Sequence, residues 1–336
     1  MKNKFLAKLF VLFLVIVFSS PISVLATTLK FAQISDIHYN PDAPRPENAK
    51  SFKIKFYALP VLNDAAKQIK EEKNVKFTLV TGDAADRPLS KDFEFMYNYL
   101  NKVLPTPWYY CLGNHDVALS GDLTKKKHIE LLNKINPSGF APDKTYYTFK
   151  PQKDMTFICL DAAYDNKTTA QGYLPPEQLQ FLDKTMKEAR NDVIVIYMHF
   201  PSVYPTASRD HDIVNLYAFN EVLAKYDNPI LVLGGHFHAN KIRQTENIVE
   251  VASPSLTSYP IALRFITIDN SSDKTVFTFD YRETNLKDVQ AIAKSKIGWS
   301  TCGKETDRNT VITVNKVCKC GCNKKGCNCE KTKECK

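Results

Sequence analysis

The sequence predicts a mixed α/β fold in which helices cover β-sheets. Short, almost wholly apolar runs at residues 193–198 and 230–233 are typical of strands that are buried on both faces. Stretches with apolar residues at helical spacing alternate with such runs as far as Glu250. Beyond Glu250 strand-like runs follow one another directly, which favours sheets that carry helices on their faces.

The sequence predicts eight strands and three helices between residues 29 and 281. Strands are predicted at residues 29–34, 75–81, 108–112, 155–160, 193–198, 230–233, 265–268 and 276–281. Apolar residues three and four apart predict helices that include residues 62–69, 93–100 and 179–186. The segment 39–55 is rich in Pro and Lys, and we expect a surface loop beside the functional site there.

The N-terminus has the order of features found in secretory signal peptides. Lysines among the first eight residues precede the apolar run 9–18, and Val-Leu-Ala at 24–26 has the small-residue pattern of a cleavage site. An uncleaved membrane anchor is the alternative, but this run is shorter than the roughly 18–20 residues that span a bilayer. We therefore expect residues 1–26 to be a cleaved signal peptide. The protein is then secreted or periplasmic, and its mature chain has no transmembrane segment.

The net charge of +9 lies at the two ends of the chain. Three lysines without acidic residues lie in the predicted signal peptide, and residues 315–336 contain seven lysines and two glutamates. The body between them is therefore close to neutral. A neutral body lacks the basic surface that nucleic-acid-binding proteins use, so it disfavours a nuclease, which stays an alternative.

The cysteines are also unevenly distributed along the chain. Cys111 and Cys159 lie in strand-like runs, where lone cysteines are usually small buried core residues. The other seven of the nine cysteines fall between Cys302 and Cys335. Their spacing suits a soft-metal thiolate cluster better than a zinc finger, while disulfides compete in an oxidising compartment. Residues 286–336 are thus predicted to be a Cys- and Lys-rich extension of a main domain at 27–285, and a secreted metal-binding protein is a second hypothesis.

Five predicted strands each end in a cluster of Asp, Asn and His residues. Because ligands of open α/β sheets bind outside the carboxyl ends of strands, the five clusters can converge. In Asp-x-His or His-x-His on an extended chain, both outer residues face the same side and can reach one metal. The clusters are Asp36-Ile37-His38, Gly82-Asp83-Ala84-Ala85-Asp86-Arg87, Gly113-Asn114-His115-Asp116, His199 and Gly235-His236-Phe237-His238.

The residue types in these clusters indicate metal chemistry. Carboxylate oxygens and imidazole nitrogens suit divalent cations such as Fe, Mn or Zn. Two such ions about 3.5–4 Å apart clamp a phosphoryl group and lower the pKa of a water between them. The sequence therefore predicts a dinuclear metal centre that acts on phosphate esters.

In this order, the clusters resemble the motif series of the calcineurin-like metallophosphoesterases: Asp-x-His, Gly-Asp-x-x-Asp, Gly-Asn-His-Asp/Glu, His and Gly-His-x-His. Every motif is present, and the resemblance covers residues 29–281. It implies a two-sheet β-sandwich flanked by helices in four layers, αββα. The first and last motifs look most like those of bacterial cyclic-nucleotide-type phosphodiesterases. Purple acid phosphatases, in contrast, carry a tyrosine where this chain has Asp86.

The resemblance also implies a role for each matching residue. One ion would be bound by Asp36, His38 and His238, the other by Asn114, His199 and His236, and Asp83 would bridge both.

The remaining motif residues would take part in catalysis. A metal-bound hydroxide would attack phosphorus, His115 would protonate the leaving oxygen as a general acid, and Asp86 would orient His115. Arg87 would grip phosphate, as the corresponding arginine does in the phosphoprotein phosphatases of this superfamily. These features leave open whether the substrate is a monoester or a diester, and whether it is a nucleotide or a lipid headgroup. The oligomeric state is also open.

Two histidines lie outside the motifs. His128 follows three consecutive lysines, and we predict a position on a solvated helix face. His211 lies in a loop after the His199 strand and is a candidate to overhang the pocket.

Overall fold

The computed structural model describes residues 26–117, 121–135, 142–207 and 209–316. The predicted signal peptide, except its last residue, and six of the seven C-terminal cysteines lie outside these ranges. No helix within the described ranges has both the length and the apolar character needed to cross a membrane.

Helices and strands alternate along most of the described chain. The helices are α1 (Ala58–Glu71), α2 (Ser90–Val103), α3 (Lys125–Ile135), α4 (Pro176–Glu188), α5 (Leu216–Leu223) and α6 (Lys287–Ser295). The strands are β1 (Thr27–Ile34), β2 (Val75–Val80), β3 (Trp108–Tyr110), β4 (Tyr147–Gln152), β5 (Met155–Cys159), β6 (Val193–Tyr197), β7 (Ile230–Gly234), β8 (Lys241–Thr245), β9 (Ile248–Ala252), β10 (Ala262–Asn270), β11 (Lys274–Glu283) and β12 (Thr310–Asn315). Each strand and helix predicted from the sequence is present.

The strands form two six-stranded sheets. One sheet has the order β12-β11-β10-β1-β2-β3, and the other has the order β4-β5-β6-β7-β9-β8. Strands β1, β2 and β3 are parallel to one another, as are β5, β6, β7 and β9. The two sheets and their flanking helices confirm the predicted α/β sandwich.

Apolar side chains from both sheets form the core between them. Phe31 of β1 packs edge-on against Phe157 of β5, with ring centroids 5.4 Å apart. Cys111 and Cys159 belong to the same cluster, which confirms their predicted place in the core. The opposite face of the second sheet is also buried, because Ile194 of β6 shares a cluster with residues of α4. Burial on both faces explains why the central strands are apolar at every position.

The folded domain continues beyond residue 285, into the segment predicted as an extension. Strand β12 pairs with β11 along the register from Lys274↔Asn315 to Phe279↔Thr310. The fully buried Arg264 of β10 donates hydrogen bonds to the carbonyl oxygens of Asp307 and Arg308, at 2.7 and 2.9 Å. A buried guanidinium needs such acceptors, so the chain up to β12 is part of the core rather than an appendage.

Two truncations should therefore behave differently. Ending the chain after Lys316 leaves β12 in place, and we expect unchanged stability. Ending it after Ser300 removes β12 and two hydrogen-bond acceptors of the buried Arg264 guanidinium, which keeps Asn240 as a partner. Each lost hydrogen bond to a charged group costs about 1.5–3 kcal/mol. Urea unfolding monitored by circular dichroism measures the difference. Equal unfolding midpoints for the two truncated chains would contradict a structural role for residues 301–316.

The prediction that His128 is solvent-exposed is wrong. His128 is 2% exposed, and its Nδ1 lies 2.6 Å from the hydroxyl of Tyr97. Helix α3 buries His128, Leu131 and Leu132, which lie three and four residues apart on one face. Of the neighbouring lysines, Lys126 and Lys127 are exposed, whereas Lys125 is half-buried and forms an ion pair with Asp161 at 2.8 Å. A run of lysines therefore does not show that the histidine beside it is solvated.

Burial of His128 makes a prediction about acid stability. Burial lowers its pKa to about 3, from an ordinary value of 6.5. Between these two values the unfolded chain binds a proton that the folded chain does not, so stability is complete above pH 6.5 and falls as the pH is lowered. The loss attributable to His128 is about 2 kcal/mol at pH 5. His128→Gln should remove this loss, so its stability relative to the unchanged protein should rise between pH 7.5 and 5 in urea unfolding; a constant difference would exclude the effect.

Candidate metal centre

All seven predicted metal ligands converge at the carboxyl ends of β1, β2, β6 and β7 and in the loop after β3. This position follows from the parallel strands, whose carboxyl ends lie at one edge of each sheet. Six of the side chains are buried and Asn114 is partly exposed. The seven predicted ligands are Asp36, His38, Asp83, Asn114, His199, His236 and His238.

The first set of ligands surrounds Asp36. Its Oδ1 lies 3.0 Å from Nε2 of His238 and 3.7 Å from Nε2 of His38. The same two histidine nitrogens are 3.2 Å apart. These three ligand atoms are thus close enough together for one ion to contact them all.

The second set surrounds His199. Its Nε2 lies 3.2 Å from Oδ1 of Asn114 and 3.1 Å from Nδ1 of His236. Asp83 faces both sets, because its Oδ2 is 3.3 Å from Nε2 of His199 and 3.6 Å from Nε2 of His38. A carboxylate in this position can bridge two ions.

The outward-facing ring nitrogens of three of the four histidines have oxygen neighbours that fix the rings. Nδ1 of His199 lies 2.8 Å from the carbonyl oxygen of Thr81, and Nε2 of His236 lies 2.8 Å from that of Ala170. Nδ1 of His238 lies 2.7 Å from Oγ of Ser258. A hydrogen bond from the outer nitrogen leaves the inner nitrogen as a lone-pair donor, which is the arrangement of metal-binding histidines.

The backbone of the cluster adopts conformations that side chains usually avoid. Asp36, His38, Asp83, His236 and His238 all have φ between 49° and 68°. Such left-handed residues are rare outside glycine and collect at functional sites. Gly235 has a different role, since a Cβ there would lie 1.9 Å from Oγ of Ser35 and 2.5 Å from Oδ2 of Asp36. Its missing side chain allows the His236–His238 turn to approach β1.

The buried carboxylates of the cluster are ionised and favour the binding of a cation. Burial alone would raise the pKa of Asp36, but His238 and His199 hold that pKa well below its usual value. Burial likewise opposes charge on His199, yet Asp83 and Asp36 raise the pKa of His199 to about 9. The two buried carboxylates therefore stay ionised and attract positive charge.

One buried oxygen of the cluster is free to contact such a cation. Oδ1 of Asp36 accepts no hydrogen bond from the described residues, although nitrogens of His38, His199 and His238 lie 3.0–3.9 Å away. An unsatisfied buried carboxylate oxygen is costly unless a ligand completes its contacts. The donor set of carboxylates, imidazoles and an amide oxygen fits a pair of divalent cations.

His115 lies beside the cluster and is held by the backbone of Asp86. Its Nδ1 is 2.9 Å from the carbonyl oxygen of Asp86 and 3.6 Å from the carboxylate Oδ1. That carboxylate instead accepts a hydrogen bond from Lys55 at 2.6 Å and faces Nδ1 of His38 at 3.5 Å. Burial lowers the pKa of His115 to about 4, which favours the neutral ring.

Arg87 lies at the margin of the site. Its guanidinium forms ion pairs with Asp42 at 2.9 Å and Asp92 at 3.1 Å. A second cation, Lys53, lies closer to the cluster, because its Nζ is 3.2 Å from Nε2 of His115. No motif includes Lys53, and no local pattern in the sequence distinguishes it from the other lysines of the 39–55 loop.

A pocket of about 480 Å³ opens above the ligands. Asp83, Asn114 and His115 form part of its floor and wall. Aromatic residues that the sequence did not indicate also line it. His211 lines it too, as predicted for a residue of the loop after the His199 strand. The loop 39–55 also lies beside the pocket as predicted, since it contributes two of the lining residues. The aromatic rim residues are Phe52, Phe237 and Trp299.

Comparison with known families agrees with this site. The family model described as calcineurin-like phosphoesterase matches residues 29–240, which include every cluster residue. The chain is a calcineurin-like phosphoesterase. Its family and fold are therefore those that the motif series implied.

Relatives of this phosphoesterase include bacterial enzymes that act on cyclic nucleotides. A 3',5'-cyclic-nucleotide phosphodiesterase of Nostoc sp. is 27% identical over 230 residues, which cover 68% of this chain and 78% of the relative. A probable cyclic nucleotide phosphodiesterase of Coxiella burnetii is 25% identical, over 62% of this chain and 76% of the relative. Among solved structures, a dimetal phosphatase from Danio rerio has a similar fold, with a TM-score of 0.56 at 16% identity over 74% of this chain and 95% of that one.

Proposed function

We propose that this phosphoesterase hydrolyses phosphodiesters with two divalent cations, and that cyclic nucleotides are its substrate class. The arrangement of Asp83 carries the proposal, since one of its carboxylate oxygens faces both sets of ligands at the base of the pocket. Hydrolytic two-metal sites commonly use a bridging carboxylate to hold both ions near one phosphoryl group. The names of the bacterial relatives favour a cyclic diester.

The proposed metal ligands fall into the two sets that the geometry defines. Asp36, His38 and His238 would bind one ion, and Asn114, His199 and His236 the other, with Asp83 shared. Bound ions of this kind supply Lewis-acid polarisation of the phosphoryl oxygens and lower the pKa of the attacking water.

His115 is proposed to give the leaving oxygen its proton. Its Nδ1 is next to the carbonyl oxygen of Asp86, which leaves Nε2 on the side of the pocket. A histidine held in one orientation beside the reacting group can transfer a proton without losing rotational freedom first. Asp86 acts as a positioning residue, mainly through its backbone carbonyl group.

The dimensions and lining of the pocket support an organic phosphate ester with a flat ring. A volume of about 480 Å³ holds a small organic ligand and much exceeds the volume of a phosphate ion. Phe52 and Trp299 contact each other edge-on, with ring centroids 4.9 Å apart, and Phe237 lines the same pocket. Aromatic faces suit a nucleobase better than the small polar headgroup of a lipid.

Hydrolysis assays on the metal-loaded full chain test the proposal. Protein loaded in turn with Mn, Fe, Zn or Co is given an aryl diester, an aryl monoester, cyclic AMP and noncyclic nucleotides. We expect both diesters to be hydrolysed faster than the monoester. Preference for the monoester would contradict the diesterase assignment, and hydrolysis of none with two ions bound would contradict the enzymatic function.

We also propose that the protein is exported and cleaved after Ala26. The lysines, apolar run and small residues at the N-terminus support this proposal. N-terminal sequencing of the protein recovered from a bacterial expression host distinguishes the alternatives. A mature N-terminus at Thr27 in the periplasm or medium is expected, whereas an intact N-terminus in the membrane fraction would indicate an uncleaved anchor.

A further inference from the structure

The side chain of Lys53 reaches the wall of the pocket next to the proposed general acid. Its Nζ lies 3.2 Å from Nε2 of His115, and it lines the pocket together with Asp83 and Asn114. This position places a basic side chain in the same pocket as the proposed metal ligands Asp83 and Asn114. None of the five motifs contains Lys53, so the site has a charged residue beyond those that the motifs supply.

Among the described residues Lys53 has no carboxylate partner, whereas the neighbouring cations are already paired. Lys55 forms an ion pair with Asp86 at 2.6 Å, and Arg87 is paired with Asp42 and Asp92. Within the described residues, Lys53 has no carboxylate oxygen within 4 Å of its Nζ. A cation that lacks an acidic partner inside a pocket can bind an anion without first breaking an ion pair.

The backbone on either side of Lys53 is anchored. The amide of Ile54, whose side chain is in the core, donates a 2.7 Å hydrogen bond to the carbonyl oxygen of Thr257. The amide of Lys53 itself donates a hydrogen bond to Oγ of Ser51 at 3.1 Å. Phe52 packs against Trp299 and against His238, with centroids 4.9 and 5.7 Å apart. The fold therefore directs Lys53 at the pocket, which limits the entropy lost when it binds an anion.

We propose that Lys53 binds a non-bridging phosphoryl oxygen of the substrate and is the phosphate-binding cation of this site. The inference rests on the proposed function only for the identity of the anion. It assigns to Lys53 the contact that the motif series implied for Arg87, whose guanidinium is occupied by two carboxylates. An ammonium group suits this position because it approaches an oxygen as a point charge and needs no bidentate geometry.

Substitution of Lys53 tests the proposal. In the manganese-loaded full chain, Lys53→Met should raise KM for an aryl diester about 10- to 100-fold, the effect of one charged hydrogen bond. The dissociation constant for inorganic phosphate, measured by titration calorimetry, should rise by a similar factor. Lys53→Arg should restore both constants to within about 3-fold of the unchanged protein, because the charge is kept.

Lys50→Met is the matched control. Lys50 belongs to the same loop but does not line the metal pocket, so its substitution should change neither constant. Bound manganese and the thermal unfolding midpoint of each variant show whether the fold and the metal site are intact. A folded Lys53→Met variant with two ions bound and unchanged phosphate affinity would overturn the proposal. Weakened phosphate binding in Arg87→Met, but not in Lys53→Met, would assign the contact to Arg87 instead.

Phosphate binding separates this inference from the proposed function. If the metal-loaded protein binds phosphate through Lys53 but hydrolyses no ester, the assignment of Lys53 holds and the enzymatic proposal fails. If it hydrolyses diesters and Lys53→Met leaves KM and phosphate affinity unchanged, the enzymatic proposal holds and the assignment of Lys53 fails.

Discussion

Asp83→Asn should remove bound metal and lower kcat/KM for an aryl diester by at least about 1000-fold, since both proposed ions lose a ligand at once. Burial opposes ionisation of Asp83, but His199 and His115 hold its pKa well below the usual value, so the carboxylate is charged. One of its oxygens lies 3.3 Å from Nε2 of His199 and 3.6 Å from Nε2 of His38. An amide of the same size supplies neither the charge nor a second equivalent oxygen.

Elemental analysis of purified Asp83→Asn, together with diester kinetics, measures both parts of this prediction. Asp42→Asn is the control, because its carboxylate is exposed, pairs with Arg87 and does not contact the cluster. The control should retain its metal. Two ions per chain in folded Asp83→Asn would exclude the bridging role.

His115→Gln should leave the metals bound and slow the chemical step. The expected loss of kcat is about 100- to 10,000-fold for a diester with a poor, alkoxide-like leaving group. The loss should be much smaller for a 4-nitrophenyl leaving group, which departs readily without a proton. The ring of His115 packs edge-on against the proposed ligand His38, with centroids 4.7 Å apart, but its nitrogens contact the Asp86 backbone and Lys53. Its replacement should therefore not release an ion.

Comparing the two leaving groups within one variant distinguishes proton transfer from a structural effect. A disturbed metal site would slow both substrates by the same factor. His128→Gln is the histidine control. His128 lies on the buried face of helix α3 and does not line the pocket, so its substitution should not affect turnover. Equal losses of kcat for good and poor leaving groups in His115→Gln would contradict the general-acid role.

Residues close together in the sequence were sufficient to predict the five clusters, whose side chains the structure brings together. Asp36 and His38, or His236 and His238, lie two residues apart after an apolar strand, so spacing and strand position are visible in the sequence. Parallel strand order then brings their carboxyl ends to one edge, as the sheets show. The signal was strong because each motif is local and the strands before His199 and His236 are apolar on both faces.

The position of His128 could also have been read correctly. His128, Leu131 and Leu132 have the spacing of one buried helix face, but the three preceding lysines suggested a solvated environment. Periodicity reports which face of a helix is buried, whereas the charge of adjacent residues reports other faces. The period was therefore the better guide.

The sequence by itself determined the fold class, the five clusters and the kind of ions they suit, because those properties depend on local spacing and side-chain chemistry. Only the tertiary structure decided what surrounds the five clusters. It placed Lys53 beside His115, paired Phe52 with the distant Trp299, and carried the domain through β12. These contacts join segments that are far apart in the sequence. Packing of the loop 39–55 and the C-terminal segment against the sheets creates them, and no local pattern records that packing.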